Sequence, residues 1–327
     1  ASFWVLAPLL AKSGYAEVSL PGGCAIGTRP IDLYLKILKE MSINYTINNG
    51  YVVAKREAPI KGLNFKLEKK SVGCTHFFIM LACLANGTSI LSNASCEPEV
   101  IHLGLLLNKM GAKIKGLGSK RIIIEGVKKL NGVTETIPSD RIETGTFAIA
   151  VSATGGKVKL ENTNYEENKL LFEILEKTGS IINKSKDSIS IEKNLNKIYA
   201  TNIITSPYPG FPTDLQAQIM ALMTISNGKS QIKENIFENR FMHVQELVRM
   251  GANIKLDKDK AIIKGVKKLN GANVMATDLR ASASLIIAGL VAAGTTKISR
   301  IYHLDRGFYN LESKLNNCGA SIKRISE

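Results

Sequence analysis

The stretch SLPGGCAIGTRP (residues 19–30) sets a single thiol in a segment with three glycines and two prolines. Few of its side chains can pack, so the sequence predicts a loop free to swing. A swinging loop with one reactive group is how a lid delivers chemistry to a closed site. A thiol of ordinary acidity is mostly protonated at neutral pH, so Cys24 could donate a proton as well as attack a carbon. The competing reading is a surface turn with an incidental cysteine. Arg29, five residues on, could hold an anion beside it, because a guanidinium fork matches carboxylate and phosphate. In SPYPGFPTDLQAQ (206–218), three prolines and a glycine make a stiff, non-helical run that ends at a helix start. Asp214 stands at that start, where it could be a general base for a hydroxyl or merely a helix cap. Arg240 in IFENRFMHVQEL (236–247), Arg280 beside Asp278 in ATDLRASA (276–283) and Arg306 in HLDRGFY (303–309) stand at the ends of expected elements. Single Asp–Arg neighbours are usually surface pairs. Arginines that recur at element ends are what an anion clamp needs.

The elements that must hold these residues recur along the chain. One pattern is an apolar helical stretch, a glycine and an alternating strand, with the glycines at 14, 87, 156, 228 and 294, spaced by about 70 residues. Between these lies a second pattern: an amphipathic helix, a Gly-Ala or similar turn, then a β-ribbon. NKMGAKIKGLGSKRIIIEGVKKLNG (108–132) closely matches VRMGANIKLDKDKAIIKGVKKLNG (248–271), with weaker copies at 38–54, 176–192 and the closing NNCGASIKRI (316–325). A glycine after a helix suits a left-handed cap, and the alternation suits strands with one buried face. Each repeat is therefore helix, strand, helix and two strands, an α/β unit that cannot bury its own apolar faces and must pack against its copies. Five copies are present, and the first has nothing before its helix. The expectation is that sequence preceding Ala1 is missing.

With 327 residues, 45% of them hydrophobic and 22% charged, the chain is long enough for two domains with their own cores. No run of about 18 apolar residues predicts a membrane span, LIIAGLVAAG (285–294) reads as a buried helix, and no signal peptide is visible. A cytoplasmic protein is expected. The net charge of +15 would suit a nucleic-acid binder, but the lysines are dispersed and aromatic residues make up only 6%. Small anionic substrates are the other use for such a field. Five cysteines without a CxxC pair and four scattered histidines argue against a metal site. Cys74, Cys83 and Cys318 read as small core residues in a reducing compartment.

Taken in order, GGCAIGTRP, SVGCT, DRIETGTF, PYPGFPTDLQAQ, FENRFMHV, ATDLRASA and HLDRG carry a resemblance. From residue 1 to its end the chain resembles the UDP-N-acetylglucosamine 1-carboxyvinyltransferases, the enolpyruvyl transferases that open bacterial peptidoglycan synthesis. The cysteine loop separates them from the shikimate-pathway enolpyruvyl transferases, which lack it. The resemblance implies two inside-out α/β barrel-like domains built from repeated βαβαββ units with pseudo-threefold symmetry. The first domain would cover 1–138, without its N-terminal part, and the second 139–327, starting at SDRIETGTF. It also implies transfer of the enolpyruvyl group of phosphoenolpyruvate to the 3′-hydroxyl of UDP-N-acetylglucosamine, through a tetrahedral intermediate and with release of phosphate.

By motif, Cys24 matches the general acid that phosphoenolpyruvate and fosfomycin can adduct, and Asp214 the base at the sugar hydroxyl. Arg29, Arg240 and Arg306 match the phosphoenolpyruvate arginines, with Asp278 and Arg280 a supporting pair. Arg29, Pro30, Ile31, Asp32 and Leu33 resemble the uracil-binding stretch. Lys69, Lys70, Ser71 and Val72 resemble the diphosphate-binding turn, and Ile236 a backbone contact to the nucleotide. No cofactor, metal, membrane or nucleic-acid partner is expected. The family's opening Lys–Asn segment, and an arginine just before ASFWVL, have no counterpart here. The alternative expectation is therefore a truncated, non-catalytic UDP-sugar-binding protein of the same fold.

Overall fold

The computed structural model describes residues 2–22, 31–193 and 197–325. Repeat by repeat, the apolar stretches become inner helices and the alternating runs become outer strands. The described residues divide into two units, one of residues 2–22, 31–137 and 207–209, the other of 138–193, 197–206 and 210–325.

In the first unit the opening stretch is a 3-10 turn, Ser2–Val5, that runs into α1 (Leu6–Ser13). There follow β1 (Tyr15–Ser19), α2 (Asp32–Glu40), β2 (Asn44–Asn48) and β3 (Tyr51–Lys55), whose strands form an antiparallel sheet in the order β1-β3-β2. The second repeat is β4 (Asn64–Lys66), α3 (Val72–Ala82), β5 (Thr88–Ser92), α4 (Pro98–Lys109), β6 (Lys113–Lys115) and β7 (Arg121–Glu125). Its sheet runs β4-β5-β7-β6, with β4 and β5 parallel across the α3 crossover. Register puts one face of the sheet in the core: Leu91 faces Ile122 across the ladder, and both are fully buried. Eight of the eleven residues of α3 are buried, so it is an inner helix covered on most sides.

The second unit holds three repeats. The first is α5 (Arg141–Thr154), β8 (Gly156–Glu161), α6 (Lys169–Lys177), β9 (Ile181–Lys184) and β10 (Ser188–Lys193). The next is β11 (Ile203–Ile204), α7 (Gln216–Thr224), β12 (Lys229–Lys233), α8 (Val244–Arg249), β13 (Asn253–Asp257) and β14 (Lys260–Lys264). The last comprises β15 (Leu269–Asn270), β16 (Asn273–Met275), α9 (Leu279–Val291), β17 (Ala292–Ala293), β18 (Lys297–Ser299) and α10 (Leu311–Asn317). Helices α5, α7 and α9 pack against one another. All nine residues of α7 are buried, and the sheets close around the three helices from outside. This is the inside-out α/β arrangement, helices within and sheets without. Where a repeat is complete it reads βαβαββ.

The repeat's second turn is the same device each time. After α2, α4, α6, α8 and α10 the chain turns back through Ser42, Gly111, Gly179, Gly251 and Gly319, all at positive φ. At each, the next N–H bonds a carbonyl five residues back, as Ala112 does to Leu107 and Ala252 to Leu247. The glycines of the first pattern also have positive φ, but only Gly14 directly caps its helix, its N–H bonding Leu10. Gly87, Gly228 and Gly294 stand instead at the approach to the strand, several residues past the helix end.

Two expectations are corrected. The closing run NNCGASIKRI makes the turn at Gly319, but no strand is formed by its described residues. Side chains tie it down instead: the Asn316 amide bonds both the N–H and the carbonyl of Ile322. Asn108 holds Ile114, in the middle of β6, in the same way. Cys318 is not a core residue but exposed, because α10 ends at Asn317 and leaves it past the last turn. Cys74 and Cys83 are buried, and burial pushes their thiols up to about 11 and about 12, so both are inert at neutral pH.

Candidate functional site

In the second unit the stiff run before α7 delivers Asp214 within a 3-10 turn, Thr213–Leu215, that starts after Pro212. Its carboxylate caps nothing. Oδ1 accepts a hydrogen bond from Arg240 Nη2 at 2.8 Å, and Oδ2 accepts one from Arg280 Nη2 at 2.8 Å. The two guanidinium side chains are 4% and 14% exposed, whereas that of Asp214 keeps 38%. Burial alone would raise the Asp214 carboxyl, but the charges of Arg280 and Arg240, and their hydrogen bonds, outweigh it and hold the group below the usual carboxylate range. Asp214 thus holds two guanidinium groups side by side on one carboxylate. Nη1 of Arg280 is buried with no hydrogen-bond partner among the described residues.

Three neighbours hold the arginines in place. Asp278 is the N-cap of α9: its Oδ1 accepts from the N–H of Arg280 at 2.8 Å and of Ala281 at 3.1 Å. The start of α7 has no side-chain cap, so the capping role left open for Asp214 is not taken up there. The Arg280 guanidinium lies over the Phe308 ring at 5.8 Å, and that of Arg240 over the Phe237 ring at 5.2 Å. Arg306 ends the 3-10 turn Ile301–Arg306 and is exposed, two residues before Phe308. It lines a cavity of about 570 Å³ together with Glu143, Asp305 and Arg324. It makes no described contact with Asp214. Its sequence neighbour Asp305 pairs not with it but with Arg324, which also grips Glu312. Ile236 is 37% exposed, and its N–H is already spent on Glu234 Oε1 at 2.8 Å, which leaves its carbonyl for a ligand.

Two side chains of this cluster gave no signal in the sequence. Glu234 follows an alternating strand and reads as a surface residue, yet it is 4% exposed. His243 reads as one of four scattered histidines but is 1% exposed beside the cluster. Burial pushes its pKa down to about 4, with the pull of Asp278 opposed by Arg240, so it is neutral at physiological pH.

In the first unit the expected nucleotide segments come together. Ile31 precedes α2 as its cap residue, Asp32 and Leu33 open the helix, and Ser71 caps α3 by accepting from the N–H of Cys74 at 3.2 Å. The starts of α2 and α3 touch: a Cβ on Gly73 would fall 1.9 Å from Tyr34 Oη. An ion pair between Lys36 and Glu68 binds the same two segments. Exposed Lys69, half-buried Lys70 and Val72 therefore flank a helix N-terminus, where backbone N–H groups and added positive charge favour a phosphate. Cys24, Arg29 and Pro30 lie outside the described residues. Among the described residues no group of three His, Cys, Asp or Glu could hold a metal ion, and no helix is long and apolar enough to cross a membrane.

Residues 1–315 match the family model described as EPSP synthase (3-phosphoshikimate 1-carboxyvinyltransferase). A UDP-N-acetylglucosamine 1-carboxyvinyltransferase of Methylobacterium radiotolerans is 55% identical over 325 residues, 99% of this chain and 76% of that protein. One from Rhodopseudomonas palustris is 55% identical over 326 residues, 100% of this chain and 76% of its own length. Among solved structures, the enolpyruvyl transferase NikO from Streptomyces tendae is similar in fold, with a TM-score of 0.86 at 21% identity over 98% of this chain and 76% of that one. An EPSP synthase from Acinetobacter baumannii gives 0.74 at 19% identity, over 98% and 77%.

Proposed function

This chain belongs to the EPSP synthase family, and we infer from that premise that it is an enolpyruvyl transferase acting on a nucleotide sugar. It transfers the enolpyruvyl group of phosphoenolpyruvate to the 3′-hydroxyl of UDP-N-acetylglucosamine and releases phosphate, the step that commits the sugar to peptidoglycan synthesis. The observation that carries the reading is 55% identity to transferases of that name over essentially the whole chain. We place the step in the cytoplasm.

The roles of the residues are our proposal. The sugar oxygen adds to C2 of phosphoenolpyruvate while C3 takes a proton from the Cys24 thiol, giving a tetrahedral intermediate. Return of a proton from C3 to the Cys24 thiolate and cleavage of the C2–O bond to phosphate then restore the double bond. Asp214 takes the hydroxyl proton. With both oxygens held by arginines, its carboxylate is a weak base, so accepting that proton requires one arginine to let go. A released guanidinium is then free for the carboxylate or phosphate of the anionic substrate. Nη1 of Arg280, buried and without a partner among the described residues, would join it once the site opens. Arg29 and Arg306 supply the rest of the clamp, which positions phosphoenolpyruvate and offsets the charge that shifts onto phosphate. Arg29 to Leu33 hold the uracil, Lys69 to Val72 the diphosphate, and Ile236 the sugar nucleotide through its carbonyl. Fosfomycin, an electrophile, adducts Cys24.

Replacing Asp214 by Asn tests the central role. The variant should lose ~100-fold or more in kcat while binding the nucleotide with unchanged affinity. Near-normal turnover would remove Asp214 from proton transfer.

A further inference from the structure

We propose that Glu234 is a positioning residue that braces the Asp214–Arg240 pair from both sides, an inference that rests on the reading of that pair given above. Glu234 follows β12 and is 4% exposed. Its own N–H bonds the Asp259 carbonyl at 2.9 Å, which anchors it to the turn between β13 and β14. Its two carboxylate oxygens then serve two different segments. Oε2 accepts from the Thr213 hydroxyl at 3.0 Å, and Thr213 is the residue before Asp214 in the same 3-10 turn. Oε1 accepts from the N–H of Ile236 at 2.8 Å and of Phe237 at 3.2 Å. The Phe237 ring carries the Arg240 guanidinium, 5.2 Å away.

The chain of contacts therefore closes on itself. Asp214 reaches Arg240 directly, and again through Thr213, Glu234 and Phe237. A direct ion pair alone fixes a distance but not the orientation of either group. The second path fixes the backbone on each side, so the carboxylate and the guanidinium are held before any substrate arrives. A side chain that fixes the groups doing the chemistry is conventionally worth ~10–100-fold in activity, because a misplacement of about 1 Å costs on that order. A buried carboxylate whose described side-chain partners are one hydroxyl and two backbone N–H groups is an uneconomical way to stabilise a loop. As a two-sided clamp it has a use.

The test compares Glu234→Ala, Glu234→Gln and Thr213→Val in the full-length protein. Glu234→Ala should lower kcat by ~10–100-fold. Glu234→Gln should recover most of the loss, since the amide oxygen can take both N–H groups and its NH2 can donate to Thr213. Thr213→Val should have a smaller effect, and adding it to Glu234→Ala should cost nothing further, because both remove one path. Backbone amide exchange at Ile236 and Phe237 should quicken in the Ala variant and slow again in the Gln variant. The brace is refuted by a Glu234→Ala variant within about three-fold of the parent kcat, or by additive losses in the double variant. Should Glu234→Ala fail to fold, Thr213→Val decides: a loss of kcat with undisturbed amides at Ile236 and Phe237 supports the brace, and unchanged kcat refutes it. If the parent itself releases no phosphate in a nucleotide-dependent way, the functional reading fails, and amide exchange still decides whether Glu234 holds the two segments.

Discussion

At the scale of single residues, the site is an arrangement of charge. Asp214 is ionised below the usual carboxylate range because two guanidinium groups more than offset its burial. Its folded value is depressed from the ordinary 3.8, so the stability it contributes is complete above that value and is lost as pH falls through the lower one. Arg280→Ala removes one of the two charges but leaves the burial. The Asp214 carboxyl should then titrate at a higher pH than in the parent, as followed by its carboxyl-carbon resonance. A midpoint that stays put would mean that Arg280 does not set the charge state of the site. Sequence carried Asp214 and Arg240 into view, since the stiff prolyl run and the turn before α8 mark both. It did not pair them. Arg280 is 66 residues beyond Asp214 and meets it only because Asp278 caps α9 and turns the first residues of that helix inward. Glu234 had no mark at all, because burial of a carboxylate depends on which segments supply its donors.

Among the elements, the repeat was legible wherever a turn forces the backbone. A positive φ is strained for a residue with a side chain, so five glycines or stand-ins recur at one place in the unit. Strands of two or three residues, such as β4 and β11, leave too little pattern to read, although they make the parallel crossovers that complete the unit. The closing ribbon was over-read for the opposite reason: alternation in NNCGASIKRI persists, but no described partner strand answers it. One close approach repeats across units and is testable. A Cβ on Gly126 would lie 1.6 Å from the Ala85 carbonyl oxygen, and one on Gly265 would lie 1.6 Å from that of Ser226. Both glycines donate to an equivalent carbonyl, Gly87 and Gly228. Neither obstacle is a flexible side chain, so the backbone itself must shift. Gly126→Ala and Gly265→Ala should each destabilise by ~1–3 kcal/mol in thermal or denaturant unfolding. Unchanged midpoints would show that the approach is looser than the geometry states.

For the molecule as a whole, two units have separate cores, and the proposed site residues are divided between them. One presents a helix start flanked by lysines, which suits a phosphate group; the other presents two buried guanidinium groups, which suit a small anion. The net charge of +15 fits a pair of anionic substrates better than a nucleic acid, given lysines dispersed over the chain and few aromatic residues to stack on bases. The most direct measurement is release of inorganic phosphate from phosphoenolpyruvate by the full-length protein, with and without UDP-N-acetylglucosamine. Release should require the nucleotide sugar and be stoichiometric with formation of its enolpyruvyl ether. No release from folded protein, or release indifferent to the sugar nucleotide, would contradict the proposed transfer.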